Sequence, residues 1–101
     1  MNKVALAVRA SYLINSDQFE GHLLSLSDAT WELERSMNRG NPQQYANYKV
    51  WLENEIDRLR HSYLACFKEE DQEEAYNIFS EFALVQRLEQ RIANCNQFLE
   101  G

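Results

Sequence analysis

The chain has 101 residues, a length that fits one domain with a single modest hydrophobic core. Its net charge is −6, and the last third, residues 69–101, holds eight acidic and two basic side chains; direct nucleic-acid binding is disfavoured, because phosphate contacts need clustered Lys and Arg. No apolar run approaches the ~18 residues of a membrane helix, so we expect a cytoplasmic protein without membrane contact.

The first 14 residues fit two kinds of secondary structure. Apolar side chains alternate from Val4 to Ile14, as in a strand, whereas Val4, Val8 and Tyr12 also share one face of a helix. An isolated strand would have no ladder to join in an otherwise helical chain. We therefore favour a short helix over residues 1–14 and keep the strand as the alternative.

A longer helix is predicted over about residues 17–38. Asp17 and Glu20 match a capping box at its start, and Gly21 inside it costs ~1 kcal/mol relative to Ala. The apolar positions alternate in steps of four and three, which is the seven-residue repeat of helices that pack along one face. The repeat consists of Phe19, Leu23, Leu26, Thr30, Leu33 and Met37.

A chain reversal separates that helix from a second one, predicted over about residues 42–67. Gly40 suits the position after a helix, Asn41 suits a cap and Pro42 suits a first turn. Because the connection is short, the two helices should run antiparallel. The predicted packing face consists of Tyr45, Tyr48, Leu52, Ile56, Leu59, Tyr63 and Cys66.

The stretch KEEDQEE, residues 68–74, precedes a third helix, predicted over about residues 71–99. Its Asp-x-x-Glu sequence matches a capping box, and acidic residues in a first turn are favoured by the helix dipole. No apolar side chain lies between Phe67 and Ala75, so we expect the chain to reverse there. The third packing face consists of Ala75, Ile78, Phe82, Val85, Leu88, Ile92, Cys95 and Leu99.

These elements predict a single all-α domain over residues 1–101. We expect an antiparallel helical hairpin, residues 42–99, with residues 17–38 packed against it in a three-helix bundle of coiled-coil-like packing. Cys66 and Cys95 would lie ~36 Å apart in that hairpin, too far for a disulfide. So small a bundle leaves apolar surface uncovered, which predicts a homo-oligomer, most simply a dimer.

No pattern in the sequence predicts a metal, a cofactor or a catalytic site. KEEDQEE lacks the central Gly of a calcium-binding loop. His22 and His61 lie in no zinc-binding arrangement, and the five-residue step from His61 to Cys66 turns their side chains ~140° apart on a helix. We therefore expect a protein that is not an enzyme and that binds neither a metal nor a cofactor.

The leading functional hypothesis is a non-enzymatic protein–protein interaction module, a small acidic adaptor, inhibitor or assembly factor. Trp31 and Trp51 lie beside the apolar repeats, where they either widen a packing face or serve as exposed anchors. The acidic stretch would attract a basic protein partner. The predicted partner-binding residues are Trp31, Tyr48, Trp51, Glu69, Glu70, Asp71, Glu73 and Glu74.

Two alternatives remain at this point. The chain could be a self-assembling structural protein whose apolar faces bind only copies of itself. It could also be an acidic nucleic-acid mimic that blocks a basic binding surface; residues 69–74 are dense enough in acids for this, but Arg87 and Arg91 interrupt the remainder. Charge and spacing alone do not separate these three functions.

Overall fold

The computed structural model describes residues 2–37 and 41–100, except for the side chains of residues 17 and 18. These residues form α-helices and one short 3₁₀ turn, and no strand occurs among them. The predicted all-α class is confirmed, whereas the three-helix bundle is not, because the described residues contain five α-helices. They are α1 (Lys3–Ile14), α2 (Asp17–Ser36), α3 (Pro42–Leu64), α4 (Gln72–Glu81) and α5 (Ala83–Glu100), with the 3₁₀ turn at Glu69–Asp71.

The N-terminal segment, which fitted a helix or a strand, forms helix α1. The side chain of Asn2 caps it by accepting a hydrogen bond from the backbone N–H of Ala5 at 2.8 Å. Leu6, Ala10 and Ile14 are buried on one side of α1, and the helix packs mainly against α4. The alternating apolar residues therefore divide between two sides of a helix, and every second one of them, Val4, Val8 and Tyr12, lies on the exposed side.

The long helices form an elongated body of 49 × 26 × 18 Å. Helices α3 and α5 make the most extensive pair, and α2 packs against both. The pair is antiparallel, since Tyr45 near the start of α3 stacks on Phe98 near the end of α5 with ring centroids 4.1 Å apart. The hydroxyl of Tyr48 likewise reaches Glu34 near the end of α2, so α2 and α3 also run antiparallel.

The single helix predicted over residues 71–99 is wrong, because the chain breaks at Phe82. This residue has an extended backbone (φ −66°, ψ 129°); its N–H donates to the carbonyl of Phe79, and its carbonyl accepts from the N–H of Gln86. No Gly or Pro marks the break in the sequence. Helix α4 packs on α1 and α3, whereas α5 packs on α3 and α2, so the break lies between a segment that contacts α1 and a segment that contacts α2.

An aromatic cluster fills the end of the body where α3 meets α4; we call this the aromatic end. Tyr63 is fully buried at its centre, with ring centroids 6.3 Å from Phe19, 5.0 Å from Phe67 and 5.2 Å from Phe79. Its hydroxyl donates to the carbonyl oxygen of Ala75 at 2.8 Å. Burial raises the pKa of Tyr63 to about 12, so this phenol stays neutral over the physiological pH range.

Candidate functional site

A groove opens between the end of α2 and the start of α3, at the end of the body opposite the aromatic end. Its volume is about 510 Å³, within the ~300–1,000 Å³ typical of ligand pockets. Leu33 and Trp51 are its exposed apolar members, while Tyr48 is buried beneath them. The groove, called the α2–α3 groove below, is lined by Leu33, Ser36, Met37, Gln44, Asn47, Tyr48 and Trp51.

Helix spacing and capping position these side chains. Leu33 and Met37 are four residues apart, so they follow one another on the same face near the end of α2. Asn41 fixes the start of α3, since its side-chain oxygen accepts hydrogen bonds from the next free backbone N–H groups at 3.1 and 3.3 Å. From that start, Tyr48 and Trp51 are one turn apart, and their rings stack with centroids separated by 6.4 Å.

A polar network joins three helices behind the groove. The hydroxyl of Tyr48 donates to Oε1 of Glu34 at 2.9 Å, and Nη1 of Arg91 donates to Oε2 of the same carboxylate at 3.0 Å. Burial, followed by the hydrogen bond and charge of Glu34, raises the pKa of Tyr48 above its usual range. The network therefore fixes the Tyr48 ring from behind and holds α2, α3 and α5 in register.

A second crevice of about 470 Å³ lies on the α5 side of this network. Its two charged residues, Glu34 and Arg91, already satisfy one another. Burial, followed by the charge of Glu34, raises the pKa of the Cys95 thiol, which leaves it protonated and a poor nucleophile near neutral pH. The crevice is lined by Glu34, Tyr45, Arg91, Asn94, Cys95 and Phe98.

The two tryptophans lie on different sides of the molecule. Trp51 is 37% exposed and lines the groove, whereas Trp31 is 50% exposed and does not. Leu33 follows Trp31 by two positions, a rotation of ~200° around α2, so Trp31 points away from the groove. The guanidinium of Arg35 covers its ring at 4.7 Å from the centroid. Of the two predicted anchors, only Trp51 borders a cavity with apolar walls.

Tyr48 does not protrude as an anchor. It is buried, and its hydroxyl is used by Glu34. The residue contributes instead to the wall of the groove, through the ring that stacks on Trp51. The Tyr48 ring thus forms a wall of the groove, and the exposed apolar edges come from Leu33 of α2 and from Trp51.

The acidic stretch lies near the aromatic end and forms the 3₁₀ turn and the first turn of α4. Its members differ in exposure: Glu69, Glu70 and Glu73 are exposed, Glu74 is half-buried and Asp71 is buried. The stretch is distant from the groove, since the 13 residues of α3 after Trp51 alone span ~20 Å. The structure therefore does not bring the acidic and the aromatic parts of the predicted site together.

The described residues offer few other groups for chemistry. Among residues 2–37 and 41–100, no three His, Cys, Asp or Glu side chains come together as metal ligands. Both histidines are exposed, and Nδ1 of His61 lies 2.8 Å from the backbone oxygen of Asp57. Neither cysteine of the described chain is in a disulfide. No helix in the described part has the length and apolar character required to cross a membrane.

Comparisons with known proteins do not assign the chain to a family. No family model matches its sequence. No curated protein and no solved structure matches it either.

The sequence signalled part of this site. The apolar repeat of α2 and the position of Trp51 beside the repeat of α3 identify surfaces that could border a groove. The Glu34–Arg91 pair was missed, because the partners are 57 residues apart in the chain and meet only once α5 has packed against α2. No spacing rule within one helix could have found that contact.

Proposed function

We propose that this protein is a non-enzymatic protein–protein interaction module that receives an apolar side chain of its partner in the α2–α3 groove. The observation that supports this most is the groove itself, with Leu33 and Trp51 exposed at a cavity of about 510 Å³. Tryptophan is among the residue types enriched at binding hot spots. The rigid Tyr48–Glu34–Arg91 network behind it would hold the groove ready for a partner.

The lining indicates the chemistry of the partner. Leu33, Met37 and Trp51 favour an apolar or aromatic side chain, and Ser36 and Asn47 supply polar groups beside it. An amphipathic helix that presents a large apolar residue fits such a groove between two helices. The partner would therefore insert one or two anchors and lay the polar part of its helix along the edges.

The acidic stretch, which we call the acidic turn below, would act at longer range than the groove, on the rate at which a partner associates. Glu69, Glu70 and Glu73 are exposed together, in a chain of net charge −6. Because they lie at the other end of the body, they would raise the association rate of a basic partner and contribute little contact at the groove. Their effect should fade with salt, since screening acts over ~8 Å at physiological ionic strength.

The groove is tested by a pair of tryptophan substitutions. Peptides selected from a displayed library against the wild-type protein are measured for affinity with Trp51→Ala and with Trp31→Ala. We expect Trp51→Ala to weaken binding at least about tenfold, a loss of ~1.4 kcal/mol or more. Trp31→Ala is the matched control, because it removes an exposed tryptophan that lies away from the groove, and it should bind as the wild type does.

Two outcomes would contradict the proposal. In the first, no peptide with an apolar anchor is enriched from the library. In the second, such peptides bind Trp51→Ala as tightly as the wild type while Trp31→Ala loses affinity. Circular dichroism of both variants should match the wild type, because both substituted side chains are partly in solvent.

The acidic turn is tested separately by reversing its charge. The triple substitution Glu69→Lys, Glu70→Lys and Glu73→Lys should slow association with a selected basic peptide and flatten the dependence of that rate on salt. The dissociation rate should change little, because these side chains lie away from the groove. Equal association rates for variant and wild type at low salt would show that the turn has no steering role.

A further inference from the structure

Uncharged side chains form the lining of the α2–α3 groove. None of the seven described residues around it is charged, although Asp, Glu, Lys and Arg make up 26% of the chain. A charged side chain of a partner would therefore be buried in the groove without an opposite charge beside it, which costs free energy. The groove thus selects against a charged anchor.

The walls of the groove favour a ring over an aliphatic side chain. Tyr48 and Trp51 supply two stacked rings, with centroids 6.4 Å apart, and Met37 supplies a thioether to the same cavity. Aromatic rings attract one another beyond the effect of buried area, and sulfur makes favourable contacts with ring edges. An aromatic anchor therefore gains contacts here that leucine or isoleucine would not.

The polar edge of the groove offers an acceptor on α2 and a donor on α3. The hydroxyl of Ser36 already donates its proton to the carbonyl oxygen of Leu33 at 2.9 Å, so its oxygen is left as an acceptor. Oδ1 of Asn47 accepts from Nε2 of Gln43 at 3.1 Å, and no described residue accepts from the amide N–H groups of Asn47. A partner that covers this edge must supply hydrogen bonds there, because polar groups buried without partners cost free energy.

We propose that the partner's anchor in the α2–α3 groove is a tyrosine; this inference rests on the proposed function, since it requires the groove to receive a partner. The ring of the anchor lies against Trp51 and Met37, and its hydroxyl donates to Oγ of Ser36, accepts from Nδ2 of Asn47, or does both. Phenylalanine has no polar group, tryptophan has only a donor, and histidine is partly charged near neutral pH. Tyrosine therefore matches both the walls and the polar edge.

The uncharged lining also makes the interaction sensitive to modification of the anchor. A phosphate group adds a charge of about −1.5 to −2 at neutral pH, and proteins that recognise phosphotyrosine hold it with clustered arginines. No Arg or Lys is among the described residues that line the groove, and the chain has a net charge of −6. Phosphorylation of the anchor tyrosine should therefore release the partner.

The tyrosine anchor is tested by exchanging the anchor residue in peptides selected from the displayed library. With the wild-type protein, a change of the anchor from tyrosine to phenylalanine should weaken binding about fivefold, because hydrogen bonding at the polar edge is lost. A phosphotyrosine anchor should abolish binding. With the double variant Ser36→Ala and Asn47→Ala, the tyrosine and phenylalanine peptides should bind equally, which assigns the preference to these two side chains.

A second double variant, Ser25→Ala and Asn54→Ala, is the matched control. It changes a serine of α2 and an asparagine of α3 that are exposed and lie outside the groove, so it should keep the fivefold preference for tyrosine. Both double variants should retain the circular dichroism of the wild type, because all four side chains are exposed.

The tyrosine anchor and the groove can fail separately. Equal binding of tyrosine and phenylalanine peptides to the wild type, an unchanged preference in the Ser36→Ala and Asn47→Ala variant, or tight binding of the phosphotyrosine peptide would each overturn the tyrosine anchor. In these cases the groove is still supported if Trp51→Ala weakens the peptides. If Trp51→Ala leaves every peptide unaffected, the groove is not the binding site, and both the proposed function and the anchor are wrong.

Discussion

Two tyrosines of α3 lie in opposite ends of the molecule and in opposite environments. Tyr63 is surrounded by the rings of Phe19, Phe67 and Phe79, and its hydroxyl donates to a backbone carbonyl. Tyr48 donates to a carboxylate and lines the open α2–α3 groove. Both phenols are buried and hydrogen-bonded. The aromatic end is packed with aromatic side chains, whereas the other end leaves the α2–α3 groove open.

The two ends of the molecule should contribute differently to stability and to the proposed binding. Large apolar side chains that touch on all sides contribute most to the free energy of folding. A cavity next to a charged, hydrogen-bonded network contributes less, but it leaves a surface of fixed shape for a partner. We therefore expect substitutions at the aromatic end to change stability and substitutions at the groove end to change binding.

The largest effect is expected for Tyr63→Ala. Removing a fully buried ring leaves a cavity among three phenylalanines, and aromatic-to-alanine changes in cores cost ~3–5 kcal/mol of unfolding free energy. Urea denaturation followed by circular dichroism measures this loss, with Trp51→Ala as the control at the groove end, where little change is expected. A loss below ~1 kcal/mol would show that the aromatic end is not the stable part.

Alkaline pH should weaken the fold through the same residue. The pKa of Tyr63 is about 12 in the folded protein against 10.0 for the free side chain, so its contribution is complete below pH 10 and is lost as pH rises toward 12. Between these values the unfolding free energy should fall by ~1.4 kcal/mol per pH unit for this group. Tyr63→Phe should show a smaller slope, and an identical slope would contradict the assignment.

The Glu34–Arg91 pair at the groove end should have an intermediate effect. Both side chains are partly in solvent, which reduces the value of the ion pair below that of a fully buried one. A double-mutant cycle with Glu34→Gln and Arg91→Gln should give a coupling of ~1 kcal/mol in unfolding free energy. A coupling near zero would mean that the network does not hold α2 against α5.

The smallest effect is expected for Gly21→Ala in α2. An added Cβ would meet nothing within 4 Å at this position, and alanine is favoured over glycine inside a helix by up to ~1 kcal/mol. Thermal unfolding should therefore show a small gain in stability. A decrease would indicate that the backbone at this position is more closely packed than the structure shows.

The sequence predicted the helical class and the main packing faces, because periodic apolar residues are a local property. It also located the start of α3, which the Asn41 cap and Pro42 define. It did not predict the break at Phe82, because residues 80–83 contain no Gly or Pro, and the change from a helix that contacts α1 and α3 to one that contacts α2 and α3 is a tertiary feature. Tyr48, which the sequence predicts to contact a partner, also donates a hydrogen bond to Glu34, a contact between helices that no local pattern indicates.

The candidate site was predictable to a lesser extent. Trp51 was identified from its place beside an apolar repeat, but Trp31 has the same local pattern and lies on another side of α2. The outer side of α1 could not be recognised as exposed before its inner side was known to pack on α4. Exposure depends on which elements meet, and that information is distributed over the whole chain.

Chemical-shift mapping tests most directly whether the α2–α3 groove receives the partner. Amide chemical shifts of the labelled protein are followed as a selected peptide is added. If the α2–α3 groove receives the partner, the largest shifts will fall in residues 33–37 and 44–51, and the aromatic end around Tyr63 will change little. If the largest shifts fall in α1 or in residues 69–74 and the groove is unchanged, the α2–α3 groove is not the binding site.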